Sequence, residues 1–205
     1  EWQDVCGRAG VVAALTQAAK SSDASLQQQA VAALAHLVYN HHDNQSAAAA
    51  AGALPHLMQL TKSSNAPLQG AAVRALGSLA SRHHDNQTAV AAAGGLPHLM
   101  QLTKSSNTAP GLRQQAVIAL QALVDSHRDN QSAAAAAGAI PQLLQLIKST
   151  NVSLQGSAVI VVGKLVANHT DNQSAAGIVG AVECMCNLMK NYRLSHDCFP
   201  IALEA

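Results

Sequence analysis

The sequence predicts an all-α solenoid with about 42 residues per unit, and three observations predict it. A five-residue signature recurs as His41-His42-Asp43-Asn44-Gln45, His83-His84-Asp85-Asn86-Gln87, His127-Arg128-Asp129-Asn130-Gln131 and His169-Thr170-Asp171-Asn172-Gln173, at spacings of 42, 44 and 42. Gly10, Gly52, Gly94, Gly138 and Gly180 keep the same period, as do Lys20, Lys62, Lys104, Lys148 and Lys190. The composition is 49% hydrophobic but only 2% aromatic, and alanine, the best helix former, fills most of the apolar share, which argues against a propeller built from strands. Units of this length bury their apolar faces only against their neighbours, so function is expected on a surface rather than in a pocket.

The elements follow in order within the second unit. Asp43 or Asn44 is expected to cap a short helix, Gln45 to Ala51, and Gly52 to end it. Leu54-Pro55 restarts the chain as a second helix with proline at an early position, and Leu54, Leu57, Met58 and Leu60 form its apolar face. Lys62 lies at the negative end of that helix. Ser63-Ser64-Asn65 reads as a turn, and Pro67 opens a long third helix running to about Ser81, with Leu68, Ala72, Ala75, Leu76 and Leu79 on one face.

The other units are variations on this plan. In the first, Ser25-Leu26-Gln27-Gln28 reads as a capping box at the start of the third helix. The third carries two extra residues within Asn107-Thr108-Ala109-Pro110-Gly111, a turn where insertions are tolerated, so its helices should be unaffected. In the fourth, Val159, Ile160, Val161 and Val162 replace alanines of the third helix, which points to a fuller interface with the next element. The fifth begins regularly, with Val182 to Lys190 able to form a second helix. Pro200 would fall inside the expected third helix at a cost of about 3 kcal/mol or more, so that unit reads as incomplete. The chain is thus expected to be one solenoid, 1–205, with repeats at about 1–42, 43–84, 85–128 and 129–170 and a partial repeat over 171–205.

Twelve basic and eleven acidic side chains nearly cancel, and 11% of residues are charged. Nucleic acid and anionic membrane are therefore poor candidates, since each needs a clustered basic face. No run reaches 18 apolar residues, the length that would mark a membrane span, and no secretory or transit segment is evident. Four cysteines, three of them at Cys184, Cys186 and Cys198, do not form a disulfide framework, and a reducing compartment, cytoplasmic or nuclear, is the simpler expectation. Because the first residue is Glu1 rather than methionine, the sequence is expected to be a processed or excerpted piece.

Asp43-Asn44-Gln45, Ala51-Gly52-Ala53-Leu54-Pro55, Leu57, Leu60, Leu68-Gln69, Ala72, Ala75-Leu76 and Leu79-Ala80 together resemble an armadillo repeat. The likeness covers four units and part of a fifth; the related two-helix HEAT repeat lacks the short first helix and its glycine. The resemblance implies a right-handed superhelix whose third helices line a concave groove that binds partner proteins, often as extended peptides. Armadillo proteins of the importin-alpha type carry a tryptophan on each third helix and an asparagine four residues later. The matching positions here are Ala32, Arg74, Ile118 and Ile160, then His36, Ser78, Ala122 and Lys164, and none matches, so the machinery for nuclear-import signals is missing. With Gln28, Gln29, Tyr39 and Asn40 of the first unit, Arg82 of the second and Gln114 of the third, these residues make up the candidate groove. Residues 54–65 and 96–107 are identical while the groove positions differ, as recognition of an irregular partner requires.

Other chemistry finds less support. Imidazole and carboxylate in the repeated turns are zinc or nickel ligand types, but units about 10 Å apart would be too far for one metal, and a polar hinge and cap is the better reading. His56 and His98, on second helices, read as surface or groove-edge residues. Cys184, Cys186, His196 and Cys198 do not have zinc spacing and read as packed thiols. No nucleophile has a base and an orienting group, and there is no Gly-rich phosphate loop. The lysine ladder, with Ser21-Ser22, Ser63-Ser64 and Ser105-Ser106 after it, reads as helix C-terminal stabilisation before it reads as a docking edge. The expectation is a non-catalytic scaffold with a protein or peptide partner, no cofactor, no metal and no small-molecule substrate. The alternatives are the substrate-reading arm of a U-box-type ubiquitin ligase and a structural part of a ciliary or cytoskeletal assembly.

Overall fold

The computed structural model describes residues 2–8, 10–104, 108–181, 183–184 and 186–187. Its helices come in threes. The first unit has α1 (Trp2–Arg8), α2 (Val11–Ala18) and α3 (Ala24–Val38); the second has α4 (His42–Ala50), α5 (Ala53–Leu60) and α6 (Ala66–Ala80). The third has α7 (His84–Ala92), α8 (Gly95–Lys104) and α9 (Pro110–Val124); the fourth has α10 (Arg128–Ala136), α11 (Ala139–Ile147) and α12 (Val152–Val166), and α13 (Thr170–Ile178) opens the fifth. No strand occurs among the described residues. The expected helix over Val182 to Lys190 lies only partly within them, and Pro200, Lys190, His196, Cys198 and Ser105 to Asn107 lie outside.

The third helices form the spine: α3 packs on α6, α6 on α9 and α9 on α12, while each second helix packs on the third helix of its own unit. Leu34, Leu76, Leu120 and Val162 occupy the same place in successive third helices and are at most 2% exposed; Leu57, Leu99 and Leu143 do the same on the second helices at 1%. Each such leucine contributes about 2 kcal/mol of burial, and the series repeats because every unit faces the same surroundings. The result is an all-helical, right-handed armadillo-type solenoid. Each third helix has 15 residues, α9 included, although the two-residue insertion lies just before it.

Two joints set the unit. Gly52 and its equivalents adopt φ near +80° before each second helix, and a Cβ there would meet nothing within 4 Å, so glycine answers the left-handed backbone rather than a lack of space. At the other joint Asn40, Arg82, Ser126 and Asn168 take φ of 53° to 57°, which turns the end of each third helix sharply into the next unit.

Helix starts depart from expectation in two places. Asp43 and Asn44 do not cap the short first helix. It begins at His42, and His41 is the cap, its ring nitrogen accepting from the Asn44 N–H; His83, His127 and His169 do likewise. Asp43 instead sits in the first turn, where its charge favours the positive end of the helix. The capping box at Ser25 does not form either, because Asp23 caps α3 by accepting from the Ser25 and Leu26 N–H groups. Gln27 donates to the Ala19 carbonyl at 2.9 Å.

Candidate partner-binding groove

The repeated turn builds the site from behind. In each copy the cap histidine accepts at Nδ1, at 3.3 Å for His83 and His127, so the proton lies on Nε2. That Nε2–H donates to a hydroxyl of the preceding unit: His83 to Ser46 at 2.9 Å, His127 to Thr88 at 2.9 Å and His169 to Ser132 at 2.7 Å. The Thr88 and Ser132 hydroxyls donate in turn to the His84 and Arg128 carbonyls, which settles the direction. His41 does the same to the Asp4 carboxylate at 2.7 Å.

The asparagine that follows is buried in every copy and ties its unit to the one before it, and the glutamine is buried in the first three copies. Asn86 Nδ2 donates to the Leu79 carbonyl at 2.9 Å and the Gln45 carbonyl at 3.4 Å, and Asn44, Asn130 and Asn172 repeat this pattern. Gln3, Gln45, Gln87 and Gln131 reach forward to the backbone carbonyls of His36, Ser78, Ala122 and Lys164. Those four carbonyls belong to candidate groove positions. Each of those four residues is therefore held through its backbone, by a bond indifferent to side-chain identity, and its side chain is left to vary.

The outward face of the spine carries most of the expected residues. Gln29, His36, Tyr39, Asn40, Arg74, Arg82, Ile118 and Ile160 are exposed, and Gln28, Ala32, Gln114, Ala122 and Lys164 are half-buried. Ser78 is the exception at 7% exposed. Its neighbour Gly77 lets α9 approach so closely that an added Cβ would lie 3.1 Å from Ala119 Cα, and this closes the face around Ser78. Between Leu68 and Ala80, Arg74 is the one exposed side chain.

Lys164 is not a free cation. It forms an ion pair with Asp125, a residue that nothing in the repeat pattern marked. The two line a shallow depression with Arg82, His84, Gln87 and Ser126. Arg74 and Arg82 make no ion pair among the described residues.

The turn histidines are structural. His42 stacks on His83 at 4.3 Å between ring centroids, and His84 on His127 at 4.2 Å, far closer than the expected unit spacing of about 10 Å. Parallel rings aim their nitrogen lone pairs sideways, and both nitrogens of His83 and His127 are already bonded, so neither is offered to a metal. Burial holds both imidazoles below the ordinary value of 6.5; a neighbouring histidine adds to this, and Asp85 or Asp129 opposes it. His56 and His98 are not groove-edge residues: both are half-buried and bond back to the preceding unit, to the Ala19 carbonyl at 2.7 Å and the Thr61 carbonyl at 3.4 Å. Lys20, Lys62, Lys104 and Lys148 are exposed at the second-helix ends. Cys184 and Cys186 are half-buried free thiols, and no group of three or more metal-ligating side chains occurs among the described residues.

This architecture agrees with known repeats. Residues 3–39 match the armadillo/beta-catenin-like repeat, 24–79 the HEAT-like repeat and 68–142 the spinocerebellar ataxia type 10 protein domain. No curated protein matches the chain in sequence. An engineered protein solved by the Northeast Structural Genomics Consortium is similar at a TM-score of 0.84 and 26% identity, over 95% of this chain and 76% of that one. A designed armadillo repeat protein in complex with the peptide (KR)4 has a TM-score of 0.83 at 19% identity, over 93% of this chain and 82% of that one. A second designed armadillo repeat protein has a TM-score of 0.81 at 20% identity, over 90% of this chain and 77% of that one. The three-helix unit with its short first helix and glycine joint is similar to the fold of the designed armadillo proteins.

Proposed function

We propose that this armadillo-repeat solenoid is a non-catalytic scaffold that binds a partner protein or an extended peptide along the outward face of its third helices. One observation carries the reading. The bonds from Gln3, Gln45, Gln87 and Gln131 hold that face in the same way in every unit, while the side chains it presents change from Ala32 to Arg74, Ile118 and Ile160. A fixed backbone with varied side chains lowers the ordering cost of association and gives each unit a different preference. A structural neighbour bound to a peptide supports the kind of partner; that peptide is basic, and its charge does not carry over to a face bearing Arg74 and Arg82. A reducing compartment, cytoplasmic or nuclear, suits the free Cys184 and Cys186.

The test is affinity capture from the native source followed by measurement of the isolated complex with Arg74→Glu and Lys164→Glu combined. At least a tenfold loss, about 1.4 kcal/mol, is expected. Unchanged affinity would remove the groove from contention.

A further inference from the structure

We infer that the segment this face takes is acidic at one end and apolar at the other. The inference rests on the groove reading and adds the partner's chemistry to it. Arg74, Ile118 and Ile160 occupy equivalent positions on α6, α9 and α12, which pack on one another in that order. They therefore stand on three successive rungs of one face.

The rungs are chemically segregated. On α6 the exposed group is the Arg74 guanidinium, and Arg82 follows at the exit of the same helix; neither is neutralised by a neighbour among the described residues. An unpaired, exposed guanidinium suits a carboxylate, which it can grip with two parallel hydrogen bonds. On α9 and α12 the exposed groups are Ile118 and Ile160, at 48% and 50%. Ile160 and Lys164 share the α12 rung. The cation of that rung, Lys164, is already paired with Asp125, so charge does not compete with apolar contact there.

Packed helices lie about 8 to 10 Å apart, and an extended chain advances about 3.3 Å per residue. One rung therefore corresponds to about three residues of ligand. The fitting segment has an aspartate or glutamate facing Arg74 and apolar side chains about three and about six residues along, facing Ile118 and Ile160. A basic peptide would set like charges against Arg74. A nucleic-acid strand would find cations on one rung and none free on the next two.

The experiment uses fluorescein-labelled peptides of about ten residues, the length of three rungs, built on a Gly-Ser background. One carries glutamate and two leucines at three-residue intervals, a second replaces the glutamate with lysine, and a third replaces the leucines with serine. Fluorescence polarisation should show the glutamate–leucine peptide binding at least about tenfold more tightly than either of the others. Arg74→Glu should reverse the preference between the glutamate and lysine peptides, and Ile118→Ser with Ile160→Ser should weaken both. All three residues are exposed, and an unchanged circular dichroism spectrum verifies folding. Equal affinity for the glutamate and lysine peptides, an order that Arg74→Glu leaves unchanged, or no binding at about 1 mM would each overturn the inference. The groove reading fails separately: a captured partner that cross-links to the third helices through a basic segment would keep the groove and sink this proposal, whereas cross-links confined to the second helices would remove both.

Discussion

The turn that opens each unit and the outward face of the third helix before it are joined by a few residues, yet they are built on opposite rules. In the turn His83, Asn86 and Gln87 are 2% to 4% exposed; His83 and Asn86 bond back to the preceding unit, and Gln87 bonds forward to the third helix of its own unit. Changing any of them strands its partner, so this part repeats. On the face, Arg74 is exposed and makes no ion pair among the described residues, and its counterparts are Ala32, Ile118 and Ile160. The difference teaches where a solenoid stores its two kinds of information: stability in the repeated turn, recognition in the face whose carbonyls that turn grips.

The comparison is sharpest at Asn86. Asn86→Ala leaves the Leu79 and Gln45 carbonyls without their donor inside the stack and should cost about 3 kcal/mol; the urea midpoint reports this directly. Loss of much less would mean that the turn is a connector rather than a staple. Gly77→Val should cost about 2 kcal/mol, because its side chain would be driven into the Ala119 backbone.

Acid should act on the turn and spare the face. His83 and His127 are held below 6.5 when folded, so the unfolded chain binds protons first. Their contribution is complete above about pH 6.5 and declines as pH falls below it, by less than about 1.4 kcal/mol per pH unit for each group. Urea midpoints at two pH values, repeated on His83→Gln with His127→Gln, would show the slope flatten if these histidines carry it.

Smallest of all, Arg74→Ala should change stability by less than about 0.5 kcal/mol, measured by the same unfolding curves. A larger loss would mean that Arg74 belongs to the frame.

Most of the fold was legible because its frame residues repeat. Gly52 marked the left-handed joint, Pro67 the start of a third helix, and Leu57 and Leu76 the buried faces. The capping histidines were not legible, since short polar side chains are the usual caps and only the geometry shows an imidazole nitrogen aimed at the Asn44 N–H. Groove exposure was legible for Arg74, Ile118 and Ile160, whose neighbours along the helix keep an apolar period. It failed at Ser78 because Gly77 admits α9, a closeness between helices that no single-unit pattern carries. The pairing of Lys164 with Asp125 joins different units and leaves no trace in either repeat taken alone.

The central claim is that the partner is met by the third-helix face and not by the turns or the second helices. Site-resolved photo-cross-linking tests it most directly, with a photoreactive residue placed in turn at Arg74, Ile118, Asp85 and Lys62, all exposed. Adducts with one partner from Arg74 and Ile118, and none from Asp85 or Lys62, are the predicted result; adducts from Lys62 or Asp85 with the face positions silent would contradict it.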